Sequence, residues 1–285
     1  MSEEPGTLFV VPTPIGNLED ITMRGLRILR EASFIAAEDT RHTRKLLTHF
    51  DIHPVEVFSY HRHNLKTAGE KMRKLLEGGR SGALVSDAGM PGVSDPGEEL
   101  IRELHEAGIR VEVLPGPSAF VTALVGSGLP VRRSVFVGFL PVGKKERRRE
   151  WERIANFPGT LVFYEAPHRL RATLAEMRGQ LGDRRIVVVK ELSKLHEMYV
   201  NGHLDEYEKI VEATQERGEY VIVVEGAREL AEDRECEPDA EALIQQVNDY
   251  IEQGMSQKEA LKEAAKTRRV SRRVVYRAML DAKDQ

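Results

Sequence analysis

The eleven residues Asp87–Gly97, DAGMPGVSDPG, hold three Gly, two Pro and two Asp directly after the apolar lead-in Ala83, Leu84 and Val85. A buried strand ending in such a loop presents backbone to a ligand, because Gly allows close approach of the main chain and Pro fixes its path. No Gly-Lys-Ser/Thr follows, so the loop is not a Walker-type phosphate cradle, and Asp87 and Asp95 would repel phosphate. The carboxylates suit a cationic or hydroxyl-bearing ligand; the same composition also serves an ordinary strand-to-helix connection. A second turn, Leu114-Pro115-Gly116-Pro117-Ser118, lacks the second Gly of a nucleophile elbow. His61, His63, His168 and His196 follow no metal-ligand spacing and no Cys supports them, so no metal is expected.

These loops need strands and helices to hold them. Leu8–Val11, Phe34–Ala37, Glu56–Tyr60, Ala83–Ser86 and Val111–Leu114 are short apolar runs. They alternate with helical patterns at Ile21–Ala32 (Asp20 as N-cap), from just after His42 to about Phe50, and at Thr67–Gly78 and Pro96–Ala107. That alternation predicts a mostly parallel sheet with ligand loops at the carboxyl ends of its strands, over residues 1–130. Four further strands, Val135–Phe139, Thr160–Tyr164, Ile186–Glu191 and Tyr220–Glu225, predict a second α/β domain over 131–237 with a mixed sheet. Its helices are expected at Lys145–Asn156, His168–Leu181 and Leu204–Arg217, with the basic piece Val142–Arg149 as a hinge. Residues 238–285 read as a small all-α, helix-turn-helix-like module with Ser256 and Ser271 in N-cap positions.

A chain of 285 residues with 41% hydrophobic and 31% charged residues is an ordinary soluble globular protein of about two domains. No apolar run approaches the length of a membrane span. MSEEPG carries no signal-like core, and the single Cys236 forms no internal disulfide; a cytoplasmic protein is expected. The net charge of −4 conceals two basic segments. Arg132–Arg153 has eight Lys/Arg against three Glu, and Lys258–Lys283 nine against three acids. Either they are solvated helix faces or they grip a polyanion, and two on one chain point to nucleic acid. Lys144, Lys145, Arg147, Arg148, Arg268, Arg269, Arg272 and Arg273 would then meet phosphates.

PTPIGNLEDIT (12–22), AAEDTRHTRKLL (36–47), SDAGMPGVSDPG (86–97), LPGPSAF (114–120), FVGFLP (136–141), FYEAPHR (163–169) and KELSKLHE (190–197) occur together and in this order. Together they resemble the tetrapyrrole-methylase-type fold of S-adenosylmethionine-dependent methyltransferases. More closely, they resemble the bacterial small-subunit ribosomal RNA cytidine 2'-O-methyltransferases, which act on cytidine 1402 of the decoding centre. The resemblance implies two α/β domains with S-adenosylmethionine in the cleft between them, a homodimer, and 16S rRNA of the 30S subunit as partner. It implies Pro12 beneath the cofactor, Asp87, Gly89 and Met90 against its methionine portion, and Ser118 with Ala119 as a second wall. Glu165, Ala166, Val221 and Ile222 would enclose ribose and adenine. PTPIGN has one Gly where tetrapyrrole methylases proper tend towards Gly-x-Gly-x-Gly, which favours the RNA branch.

Methyl transfer to a ribose hydroxyl is an in-line displacement that needs positioning and somewhere for the proton to go. Asp39 at the end of the second strand, and Lys190 with Glu191 at the end of a strand of the second domain, are the expected catalytic groups. Asp39–Arg41 or Lys190–Glu191 could equally be ion pairs that join elements. Arg41 and Arg62 are expected as phosphate clamps, since Arg forks match phosphate oxygens. Other readings are methylation of a tetrapyrrole or a protein side chain, or an idle RNA-binding assembly factor. The tail either binds RNA or serves as a structural or dimer contact.

Overall fold

The computed structural model describes residues 4–215, 217–227 and 240–267, together with Val275, Ala278 and Met279. The chain divides into two compact units, Met1–Ala227 and Arg228–Gln285.

Within the first unit, β1 (Leu8–Val10), α1 (Met23–Glu31), β2 (Phe34–Ala37), α2 (Thr40–His49), β3 (Val57–Ser59), α3 (Leu65–Glu77), β4 (Gly82–Val85), α4 (Glu98–Glu106) and β5 (Val111–Val113) follow in sequence. The strands form one all-parallel sheet in the order β3-β2-β4-β1-β5. Parallel strands covered on both faces read as continuous apolar runs, and β2 and β4 are buried at every residue. α1 starts two residues later than the sequence pattern suggests. Leu18–Asp20 form a 3₁₀ turn, and Thr22, not Asp20, caps α1 by accepting the Gly25 N–H at 2.9 Å.

The mixed sheet of β6 (Ser134–Phe139), β7 (Thr160–Glu165), β8 (Arg185–Lys190), β9 (Met198–His203) and β10 (Tyr220–Val224) has the order β6-β7-β10-β8-β9, with only β6 and β7 parallel. α5 (Ala119–Gly126) packs on one face, where Ala123 and Leu124 meet Val162, Val187, Val189, Val221 and Val223. On the other face lie α6 (Lys144–Ile154), α7 (Leu170–Leu181) and α8 (Tyr207–Thr214), whose apolar side chains cover Phe163, Ile186, Val188 and Ile222. α5 therefore belongs to the second sheet, and the change of sheet falls at Leu114–Ser118, ahead of the boundary expected at 130.

The expected hinge at Val142–Arg149 is no hinge. From Lys144 it is the first half of α6, anchored by buried Trp151 and Ile154. Arg147 is paired to Glu176 at 2.6 Å, and Trp151 Nε1 donates to the same carboxylate at 2.6 Å. Lys144, Lys145, Arg148 and Arg149 of that charge run lie on the exposed face of an amphipathic helix, whereas Arg147 turns inward to Glu176.

In the second unit α9 (Ala240–Glu252) and α10 (Gln257–Thr267) enclose a small core of Leu243, Val247, Ala260 and Ala264. Ser256 and Glu259 form a reciprocal capping box at the start of α10. Arg268, Arg269, Ser271, Arg272 and Arg273 lie outside the described residues.

Candidate active site

The carboxyl ends of β1, β2, β4 and β5 turn towards one end of the mixed sheet, and a cleft of about 410 Å³ opens there. Its floor is a short bridge between two loops. The Thr13 N–H donates to the Gly89 carbonyl and the Gly89 N–H donates back to Thr13, both at 2.9 Å, while Thr13 Oγ1 donates to the Ser86 carbonyl at 3.0 Å. Gly89 sits at φ +79°, where a side chain is strained, which is why this loop needs glycine. Gly116 is required for a different reason: a Cβ there would lie 2.8 Å from the Pro12 ring.

Asp87, Gly89, Met90, Ser118, Ala119, Glu165, Ala166 and Val221 all line this cleft. Pro12 does not; it is buried beneath Gly116, supporting the wall. Ile222 also does not, because alternation along β10 turns it into the core on the α7 side. Ile15, Tyr164 and Leu192 supply further apolar lining.

Five carboxylates line the cleft; Glu165 is bonded within the wall and Glu219 pairs with Lys194 at 3.0 Å, which leaves Glu38, Asp87 and Asp95. Burial, then the neighbouring charge of Asp95, pushes Glu38 above the ordinary carboxylate value. Burial likewise raises Asp95, against a hydrogen bond from Ser86 that lowers it, with Asp87 adding repulsion. Arg62, whose guanidinium donates to the Ser94 carbonyl at 3.3 Å, offsets part of this negative charge. Burial raises the Tyr164 phenol to about 12, so it stays protonated. A slot with apolar walls and excess buried negative charge fits S-adenosylmethionine, which has a sulfonium, an ammonium and a flat adenine. Asp87 and Asp95 would hold the positive end, and Ile15, Ala119 and Val221 the adenine.

Glu165 is only 2% exposed, and its oxygens are already occupied. One accepts the Ala166 N–H at 2.8 Å and faces Arg169 at 3.4 Å; the other accepts the Thr173 hydroxyl at 2.6 Å. Its work is to fix the Glu165-Ala166-Pro167 turn that forms the cleft wall.

The expected catalytic groups lie elsewhere. Asp39 caps α2 and pairs with Arg41 at 2.7 Å, and the hydrogen bond from Arg41 holds its carboxyl well below the usual range. That pair is exposed and engages both Asp39 and Arg41. Lys190 follows Ile186 and Val188 onto the α8 side of the sheet, where its ammonium donates to the Thr214 carbonyl at 2.7 Å. Glu191 accepts the Glu219 N–H at 2.9 Å and the Lys194 ammonium at 3.1 Å; burial raises its pKa, but these partners outweigh it and the net shift is downward. Of the polar residues Glu38–Arg41 that close β2, sequence reasoning selects Asp39, whereas its neighbour Glu38, immediately after the buried strand, is the one that reaches the cleft.

A parallel α/β lobe and a mixed α/β lobe meeting over an acidic cleft define the tetrapyrrole-methylase class of fold. Residues 7–208 match the family described as Tetrapyrrole (Corrin/Porphyrin) Methylases. The fold is shared with a uroporphyrin-III C-methyltransferase from Thermus thermophilus complexed with S-adenyl homocysteine. That likeness has a TM-score of 0.55 at 20% identity, over 77% of this chain and 97% of that one. Two curated relatives carry the name Ribosomal RNA small subunit methyltransferase I. The one from Halalkalibacterium halodurans is 46% identical over 96% of this chain and 94% of its own, and the one from Bacillus subtilis 44% identical over the same shares. The chain belongs to the tetrapyrrole methylase family and, within it, to the family of the ribosomal RNA small subunit methyltransferase I proteins.

Proposed function

We propose that this protein is a cytoplasmic, S-adenosylmethionine-dependent methyltransferase that acts as a homodimer on 16S rRNA in the 30S subunit, methylating the ribose O2' of cytidine 1402. The observation that carries the reading is the cleft, where Glu38, Asp87 and Asp95 crowd against apolar walls in a relative of rRNA methyltransferases. Bound there, S-adenosylmethionine supplies a methyl group on a sulfonium, whose departure asks for no Lewis acid. Asp87 and Asp95 neutralise the positive end of the donor, and the Gly89 loop sets the approach line of the acceptor oxygen.

The hydroxyl proton goes to Glu38. Its raised pKa makes it a better base than a surface carboxylate, and one of its oxygens already faces the Asp87 N–H at 3.5 Å, leaving the other to accept. Asp39 and Lys190 are spent on Arg41 and the Thr214 carbonyl, so the proton role moves one residue back along β2's exit. Support for the homodimer comes from α5, whose Val121 and Val125 are 51% and 66% exposed on an otherwise apolar helix.

The test is label transfer from methyl-labelled S-adenosylmethionine to three acceptors: 30S subunits lacking the modification, naked 16S rRNA and a uroporphyrin. Label in 30S rRNA, lost in Asp87→Asn, is the expected result. Transfer to the uroporphyrin alone, or to nothing despite cofactor binding, refutes the proposal.

A further inference from the structure

Beside the donor cleft, on the other side of the Thr13–Gly89 bridge, lies a second cavity of about 250 Å³. The bridge separates them by alternation: Pro14 lines this cavity, Ile15 lines the cleft, and Asp87 borders both. Its outer wall is α2. Thr43, Leu46 and Leu47 of that helix are buried, whereas Arg41, His42, Arg44, Lys45 and His49 are exposed. His42, Lys45 and His49 recur at spacings of three and four, so they share one face, and all three line the cavity.

The helix contains no acidic residue, and its capping Asp39 is consumed by Arg41. Lys45 has no ion-pair partner among the described residues. Pro14, Leu18 and Leu46 add apolar surface to the same cavity. The cavity is smaller than the 300–1,000 Å³ of a typical whole-ligand site. Its chemistry is that of a single nucleotide unit: cations for a phosphate, apolar and imidazole surfaces for a base.

We infer that the α2 cavity is the site for the RNA nucleotide flanking the acceptor, with Lys45 on its phosphate and Leu18, Leu46 and the two histidines against its base. This rests on the RNA reading proposed above and extends it. Asp87, common to both cavities, marks where the strand passes from α2 into the donor cleft. An uncharged helix face there would leave the acceptor hydroxyl to be positioned by the donor cleft alone.

The experiment uses the full chain and its Lys45→Gln and Leu18→Trp variants, with 30S subunits as the varied substrate over a series of salt concentrations. S-adenosyl homocysteine binding is measured by calorimetry in parallel. Expected for Lys45→Gln is a KM for 30S raised about fivefold, with kcat little changed. Its log–log salt slope should be smaller by about 0.7, as for one lost phosphate contact. Leu18→Trp, which fills the cavity, should raise KM and leave the slope alone. S-adenosyl homocysteine affinity stays at the wild-type value in both. Wild-type KM and slope in Lys45→Gln overturn the inference, and so does a parallel loss of S-adenosyl homocysteine binding, which would make α2 a support of the donor cleft. A wild-type protein that transfers no methyl to 30S rRNA would instead refute the function on which the inference rests.

Discussion

Thr173→Val removes a hydroxyl from the most deeply buried polar contact of the cleft wall while keeping the volume of the side chain. Thr173 is 1% exposed and donates to Glu165 Oε2 at 2.6 Å; Glu165 is 2% exposed. A hydrogen bond to a charged group is worth about 1.5–3 kcal/mol, and its loss here leaves a carboxylate oxygen buried without that donor. Taking about 2 kcal/mol, and roughly 2–4 °C per kcal/mol for a unit of this size, the melting temperature should fall by about 4–8 °C. Thr173→Ser keeps the hydroxyl and loses one methyl, a cost of about 1 kcal/mol, so its melting point should fall by about half as much or less. Scanning calorimetry of the three proteins gives the stabilities, and titration with S-adenosyl homocysteine reads the cleft. Because Glu165 also holds the Ala166 N–H, the Val variant should bind more weakly and the Ser variant as wild type. Equal losses in Val and Ser, or no loss in Val, would refute the claim that the hydroxyl–carboxylate bond holds this wall.

Glu38→Gln should lower kcat by about 100-fold or more, as expected for loss of a general base. It should also raise the melting temperature at pH 8. Glu38 is pushed above its ordinary 4.5 in the folded protein, so its contribution to stability is greatest at low pH and is lost as pH rises through the raised value. Calorimetry in buffers of different ionisation enthalpy should detect proton release on S-adenosylmethionine binding, with affinity falling as pH drops towards the raised values of Glu38 and Asp95. A cation prefers the deprotonated cleft, and the window lies above the ordinary 4.5 and 3.8. Val121→Asp/Val125→Asp should shift the protein from dimer to monomer in sedimentation velocity; an unchanged mass removes α5 from the interface.

The cleft was legible from sequence wherever it is built from loops that Gly and Pro punctuate. Asp87–Met90 and Ser118–Ala119 stand at strand ends, and a parallel sheet sends its strand-end loops to one side. Less legible was which face a strand residue takes. Alternation ties Lys190 to Ile186 and Val188, but only the packing of α8 decides that this face points away from the cleft. Composition misled at Val142–Arg149, where a charge run conceals the Trp151 and Ile154 anchors of α6. The uniformly apolar α5 carries no periodic sign of which sheet it covers, so the domain change was placed one helix late. β9 escaped notice because MYVNGH is a half-exposed edge strand with Asn and Gly in it.

The central claim is tested most directly by mapping the methylated nucleotide. 30S subunits lacking the modification are treated with the protein and S-adenosylmethionine, and the 16S rRNA is digested and sequenced by mass. One added methyl is expected at cytidine 1402, on the ribose and therefore making the following phosphodiester resistant to alkali, and no methyl with Asp87→Asn. A methyl on a base, on another nucleotide, or undiminished in Asp87→Asn would contradict it.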